Sequence, residues 1–123
     1  MLYFLRIGLL VLGLLVVKTA VAEDSMFLSA LEDIPLMTGL SEATEDTVYF
    51  DTPAGRIVEV YAQGSVKKET VLMYYKDSLP SLGWKRTVHG TYVREGEYLA
   101  VSVSMDKDIS VVRFALSPNA DMR

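Results

Sequence analysis

Residues 65–84 read SVKKETVLMYYKDSLPSLGW, a stretch with helical rather than alternating periodicity. At about 100° per residue, Val71, Leu72, Tyr75, Leu79 and Leu82 fall on one side, while Glu69, Met73, Lys76 and Asp77 fall opposite. Ser65 stands where its hydroxyl can accept a backbone N–H from the open first turn. Pro80 lacks a ladder donor and crowds the preceding turn, so the regular helix is expected to weaken near Leu79. Gly83 then suits a left-handed exit, with Trp84 folding back over the helix end.

Outward from this helix the pattern changes to alternation. Upstream, Val48-Tyr49-Phe50 begins a β signal, and Thr52-Pro53-Ala54-Gly55 places proline and glycine as a type I turn wants them. Arg56 to Gln63 resumes with Val58, Val60 and Ala62 on one face and Ile57, Glu59 and Tyr61 on the other. Downstream, strands are expected at about 84–88, 91–94, 98–105 and 109–117. His89-Gly90 reads as a turn or as a bulge in one longer strand. Glu95-Gly96-Glu97 and Asp106-Lys107-Asp108 are the connections, each separating runs rich in β-formers. Leu99, Val101, Val103 and Met105 share an apolar face, matched by Val112, Phe114 and Leu116. The expected fold is therefore α+β: two layers, one main amphipathic helix packed on an antiparallel sheet, in the order ββα followed by three or four strands.

Four segments are expected along the chain: 1–22, an amino-terminal arm over 23–46, the α+β domain over 47–117, and a tail over 118–123. In the arm, Met26-Phe27-Leu28 precedes Ile34-Pro35-Leu36-Met37-Thr38-Gly39-Leu40. Pro35 disfavours helical geometry at Ile34 and Gly39 tolerates positive φ, so a helical turn followed by an extended arm is expected. Acidic Glu42, Glu45 and Asp46 read as a solvated loop.

Pro35-Leu36-x-x-Gly39, followed by Tyr74-Tyr75 and Leu79-Pro80-x-x-Gly83-Trp84, resembles a loose group of small bacterial extracytoplasmic domains found in exported proteins and lipoproteins. Tyr74 stands where such domains commonly have Phe. The resemblance covers most of residues 23–123, but its motifs concern packing and it brings over no catalytic or ligand-binding residue. A weaker likeness, resting on architecture and Gly-Trp, is to the helix-on-sheet domains of outer-membrane assembly lipoproteins; likeness of fold does not transfer function.

The first twenty-two residues, MLYFLRIGLLVLGLLVVKTAVA, indicate export. Arg6 supplies a positive flank, Ile7 to Val17 an unbroken apolar run, and Ala20-Val21-Ala22 a small-x-small processing site. The apolar run is shorter than the roughly 20 residues of a spanning helix, which favours a cleaved signal peptide. The alternative is an uncleaved inner-membrane anchor with Lys18 at the membrane edge. Both place the domain outside the cytoplasm, in the periplasm on the first reading. Membrane contact is then expected only through residues 1–22, and only if they are retained.

The chain carries 12 basic and 16 acidic residues, a net charge of −4, and removing Arg6 and Lys18 moves that to −6. Such a balance disfavours nucleic acid and anionic lipid surfaces, which both recruit cationic protein. The absence of cysteine excludes lipoprotein-type acylation, disulfides, thiol catalysis and thiolate metal sites. His89 is the single histidine, and no Gly-x-Ser-x-Gly elbow accompanies it, so a turn residue is the simpler reading than a triad member. Asp106 and Asp108 read as a solvated turn rather than a cation site, which would need more converging oxygens. Glu95 and Glu97 read as a polar hairpin tip rather than a glycosidase pair flanking a cleft. Phosphate loop, zinc spacing and dinucleotide fingerprint are all missing, and no cofactor, metal or catalytic residue is expected.

The face opposite the helix is the more informative surface. Alternation assigns it Ile57, Tyr61, Tyr98, Ala100, Ile109 and Val111, with Tyr49 and Tyr92 added and Glu59 and Arg113 among them. Tyrosine brings apolar area with a polar tip, which suits reception of a peptide or protein. The candidate partner surface is therefore Tyr49, Ile57, Tyr61, Tyr92, Tyr98 and Val111, unless the Met26 to Leu40 arm covers that face. The expected function is an exported, non-enzymatic envelope protein that binds or supports another envelope protein or peptide. The alternative is a small-ligand-binding or enzymatic periplasmic domain with a pocket between helix and sheet or under the arm. Oligomeric state is not set by these patterns.

Overall fold

A computed structural model describes residues 26–119. Residues 1–22, for which export is expected, lie outside them. The fold is α+β, with one helix packed on an antiparallel sheet of seven strands. In chain order the elements are β1 (Ser41–Glu42), β2 (Val48–Thr52), β3 (Gly55–Gly64), α1 (Lys68–Ser78), β4 (Lys85–Arg86), β5 (Tyr92–Arg94), β6 (Glu97–Asp106) and β7 (Ile109–Pro118). Three strands precede the helix rather than two, because Ser41–Glu42 adds to β3 opposite Ala62 and Gln63. Four follow it. The sheet runs β1-β3-β7-β6-β5-β4, with β2 also pairing β3.

The helix face of the sheet is the core. Val58, Val60, Val112, Phe114, Leu99 and Leu116 are buried there under Val71, Tyr75 and Leu79 of the helix side. Tyr75 meets Phe114 edge-on with ring centroids 5.0 Å apart, a preferred aromatic geometry. After Ser78 the chain tightens into a 3-10 turn, Leu79–Leu82, as Pro80 requires. Gly83 takes φ 90° and the Trp84 N–H returns to the Leu79 carbonyl, burying the indole.

The helix start differs from expectation. Lys67 rather than Ser65 occupies the cap position, in extended geometry and without a side-chain cap bond. The cause is non-local. The Val66 carbonyl accepts a hydrogen bond from the buried Ser110 hydroxyl on β7, which holds the chain extended until Lys67.

The arm is not a free extension. Leu28, Leu31 and Ile34 are buried in the same core as the helix, and a bridge between Phe27 and Pro35 folds the segment on itself. The Tyr75 hydroxyl donates to the Pro35 carbonyl at 2.8 Å and accepts from the Met37 N–H at 3.2 Å. Ser29 donates through both its N–H and its hydroxyl to the Glu42 carboxylate, at 2.8 and 2.7 Å. Where the arm crosses the end of β3, a Cβ on Gly64 would lie 2.0 Å from the Gly39 carbonyl oxygen. Backbone therefore packs on backbone. The arm lies beside the helix, on the helix face of the sheet.

Candidate functional site

Because helix and arm share one face, the other face of the sheet is left without either. Register decides which residues stand on it. In β3 and β7, Ile57, Glu59 and Tyr61 alternate away from the buried Val58, Val60 and Ala62, with Arg113 opposite Tyr61 and Val111 opposite Gln63. Tyr98 opposes Ser117 and Ala100 opposes Ala115 on the same side. Ile57, Tyr61, Tyr98 and Val111 are thus on this outer face, as alternation implied, together with Ile109.

Tyr49 and Tyr92 are not. Tyr49 pairs with Val58 and so points to the helix face, where it borders a polar hollow beside the arm with Arg56 and Arg94. Tyr92 pairs with Leu99 and is 4% exposed, a core residue whose burial raises its hydroxyl pKa. Only the placement of Tyr92 depends on a different loop length; at Tyr49 the Thr52-Pro53-Ala54-Gly55 turn is the expected one, and its parity already puts Phe50 outside. Thr52 pairs with Gly55 and Arg94 with Glu97, so each hairpin closes on two residues and fixes which neighbour faces out. Phe50, opposite Ile57, takes the outer position expected of Tyr49 and is 59% exposed. The same pairing arithmetic identifies it from sequence.

At the centre of the face, the Glu59 carboxylate accepts from the Arg113 guanidinium and, at 3.1 Å, from the Tyr61 hydroxyl. Those bonds, Arg113 first, hold the Glu59 carboxyl below its usual range, and Glu59 correspondingly raises Arg113. The charges neutralise one another on a mixed surface, with Ala115 opposite Glu59 and Ser102 opposite Arg113. Beside them lies a hollow of about 440 Å³. Its floor is the small pair Ala100 and Ala115 with Ser117, and its rim is Tyr98 and the Thr87–Thr91 turn carrying His89. That turn is closed by the Thr87 N–H to the Thr91 carbonyl at 2.8 Å and by a 2.8 Å contact between the two threonine hydroxyls. His89 is thus a turn residue, as its sequence context suggested, but one that borders the hollow.

The remaining polar residues are engaged structurally. Glu97 pairs with Arg56 at 3.0 Å, and this bond raises the Arg56 pKa. Asp33 of the arm pairs with Arg94 at 2.5 Å. Arg94 also lies 4.2 Å over the Trp84 ring and donates to the Leu82 carbonyl at 3.0 Å. The strand pair Asp106 and Ile109 makes Lys107-Asp108 a two-residue turn. Among the described residues, no group of three or more His, Asp or Glu side chains converges to hold a metal. Hollows between helix and sheet and beneath the arm measure about 290 and 450 Å³. Neither is lined by a serine, histidine and acid set. No family model matches the chain, and no curated protein or solved structure matches it significantly.

Proposed function

We propose that the chain is an exported, non-enzymatic envelope protein whose outer sheet face receives a peptide or protein segment of another envelope component. One observation carries the reading: helix and arm are both spent on the opposite face, leaving Phe50, Ile57, Tyr61, Tyr98 and Val111 outside the packed core. Tyrosines at such a surface supply contact area at small rotamer cost, and their hydroxyls stay useful at a wet rim. The hollow over Ala100 and Ala115 gives a partner side chain somewhere to seat, as interface anchors require. Export rests on residues 1–22, which also supply the only membrane contact in this reading, and no cofactor or metal takes part.

The test is in-cell photocrosslinking from Tyr61 and Tyr98, with Tyr49 on the helix face as the internal control. A discrete adduct from Tyr61 and Tyr98 and none from Tyr49 is expected. No reproducible adduct, or the same adducts from all three positions, would sink the proposal. A thermal-shift response to small molecules without any protein adduct would instead favour the ligand-binding alternative.

A further inference from the structure

Strand β6 is paired by β7 along its full length, but β5 pairs only Glu97, Tyr98 and Leu99 on its other edge. The Thr87–Thr91 turn lies beside the next two residues, Thr91 lining one hollow with Ala100 and Gly90 another with Val101. Beyond it, no strand among the described residues pairs the outer edge of residues 102–106. Exposed edges are normally guarded by charge, proline, a bulge or brevity. The terminal strand β4 obeys this, being two residues long and reading Lys85–Arg86. Ser102-Val103-Ser104-Met105 does not: it carries neither charge nor proline, and its register with β7 continues without a bulge. Along the same edge, Leu72 and Met73 of α1 and Met105 of β6 are 37%, 59% and 48% exposed. An open strand edge flanked by exposed apolar side chains, here Leu72 and Met73 set between Glu69 and Lys76 of the helix, is a form that accepts an added strand.

We propose that the added strand is β6 of a second copy, antiparallel, with the two-fold axis through Ser104. Ser104 then faces its own equivalent, Val103 faces the second copy's Met105, and Ser102 faces the second copy's Asp106. Three features select this occupant and register. Side-chain parity admits only axes that pass through a residue, because any other would set the helix face of one copy against the outer face of the next. An axis through Val103 would direct Asp106 at Ala100, a position the Thr87–Thr91 turn already flanks. Shifting it to Ser104 clears that turn and leaves five residues a side, about 17 Å of strand.

Charge supplies the third feature. In this register the Asp106-Lys107-Asp108 turn of each copy, net −1, arrives beside the other's hollow at Val101, where Lys76 and Arg86 outweigh Glu69 to leave a net +1. The complementarity occurs twice per dimer. No like charges face each other across the ladder, and Leu72 and Met73 of both copies flank the new strand pair. Ser104 stands beside Val111 of the outer face, but the contact is made by the backbone edge of β6 rather than by the side chains of that face, so failure of either proposal leaves the other standing.

The absence of cysteine makes the test direct. The full chain is expressed from Met1 with Ser104→Cys, oxidised, and run without reductant. Opposed antiparallel residues lie about 4.5–5.5 Å apart at Cα, within the range of about 4.4–6.8 Å that a disulfide accepts. Ser104→Cys should give at least tenfold more covalent dimer than Gln63→Cys, an exposed site on β3. Ser104→Lys and Ser104→Asp each set like charges on the axis and should be monomeric by light scattering, while the two co-expressed should recover dimer. Equal crosslinking at positions 63 and 104, a wild-type monomer at every concentration, unimpaired dimerisation of both charge variants, or crosslinking of the Ser104→Cys variant only to another protein would each overturn the proposal.

Discussion

Replacing Tyr75 by Phe isolates the contact that joins the arm to the helix. The hydroxyl serves two backbone groups at once, as donor to Pro35 and acceptor from Met37, while the ring stays packed on Phe114 and Tyr74. The substitution keeps that packing but leaves one carbonyl and one N–H without their partner in a partly buried place. Each such group costs about 1–3 kcal/mol when left unmet, and relaxation toward water recovers part. A net loss of about 2 kcal/mol is expected. With a urea dependence of about 2 kcal/mol/M, that lowers the midpoint by about 1 M at unchanged slope. Burial also raises the Tyr75 pKa above its ordinary value of 10.0. A raised folded-state value contributes stability below the unfolded pKa and loses it as pH rises past about 10. The wild type should therefore weaken above pH of about 10, and the variant should weaken less steeply, Tyr92 retaining its own share. A midpoint within about 0.2 M of wild type, or an identical alkaline slope, would refute the claim that this hydroxyl ties arm to helix.

Ile34→Ala removes a fully buried arm residue; a cost of about 2–5 kcal/mol should lower the melting temperature by at least roughly 10 °C, and calorimetry should still show one transition because arm and helix share one core. Gly64→Ala drives a methyl into the Gly39 carbonyl, and a loss of about 2 kcal/mol or more is expected by denaturant titration. Gly96→Ala, where nothing lies within 4 Å but φ is +79°, should lose only the left-handed strain of about 1–2 kcal/mol. Glu59 has a lowered folded-state pKa, so its contribution is present above the unfolded value and lost as pH falls through the folded one. Glu59→Gln should flatten the acid limb of a stability profile by no more than about 1 kcal/mol, since the Arg113 pair is well exposed to solvent.

What sequence conveyed well was local. The Pro80 interruption, the Gly83 exit and the return of Trp84 are set by neighbours a few residues away, and all three occur. The alternation of β3, β6 and β7 likewise placed Ile57, Tyr61, Tyr98 and Val111 on a common face. Tyr92 is misplaced because facing depends on the parity of a turn, and one residue of error there inverts a strand, whereas at Tyr49 the expected Thr52–Gly55 turn holds and itself puts Phe50 outside. Reading Glu95-Gly96-Glu97 as a three-residue connection sends Tyr92 outward, whereas the actual pairing of Arg94 with Glu97 sends it into the core. Ser65 failed as a cap for a different reason: its neighbour's carbonyl is bound by Ser110, 44 residues from Val66 in sequence. No local pattern encodes that bond. β1 escaped notice because its two residues are a strand only through Ala62 and Gln63.

The arm links these errors to the binding proposal. From sequence, Met26 to Leu40 had two destinations, and the one over the outer face would have removed the candidate surface. The deciding residues are Leu28, Leu31, Ile34 and the hydroxyl of Tyr75, which together fix the arm beside the helix. Gly39 and Gly64 permit the crossing at backbone contact distance, so the arm reaches β1 without passing around the sheet edge. Covering one face twice leaves the other without helix or arm. The same economy acts along the strands: β4 and β5 are too short to cover β6, and the edge they leave lacks charge or proline over residues 102–105. In the two proposals made above, other chains meet this sheet at two chemically distinct openings among the described residues, one a face and one a strand edge. The outer face offers side chains, and the β6 edge offers backbone.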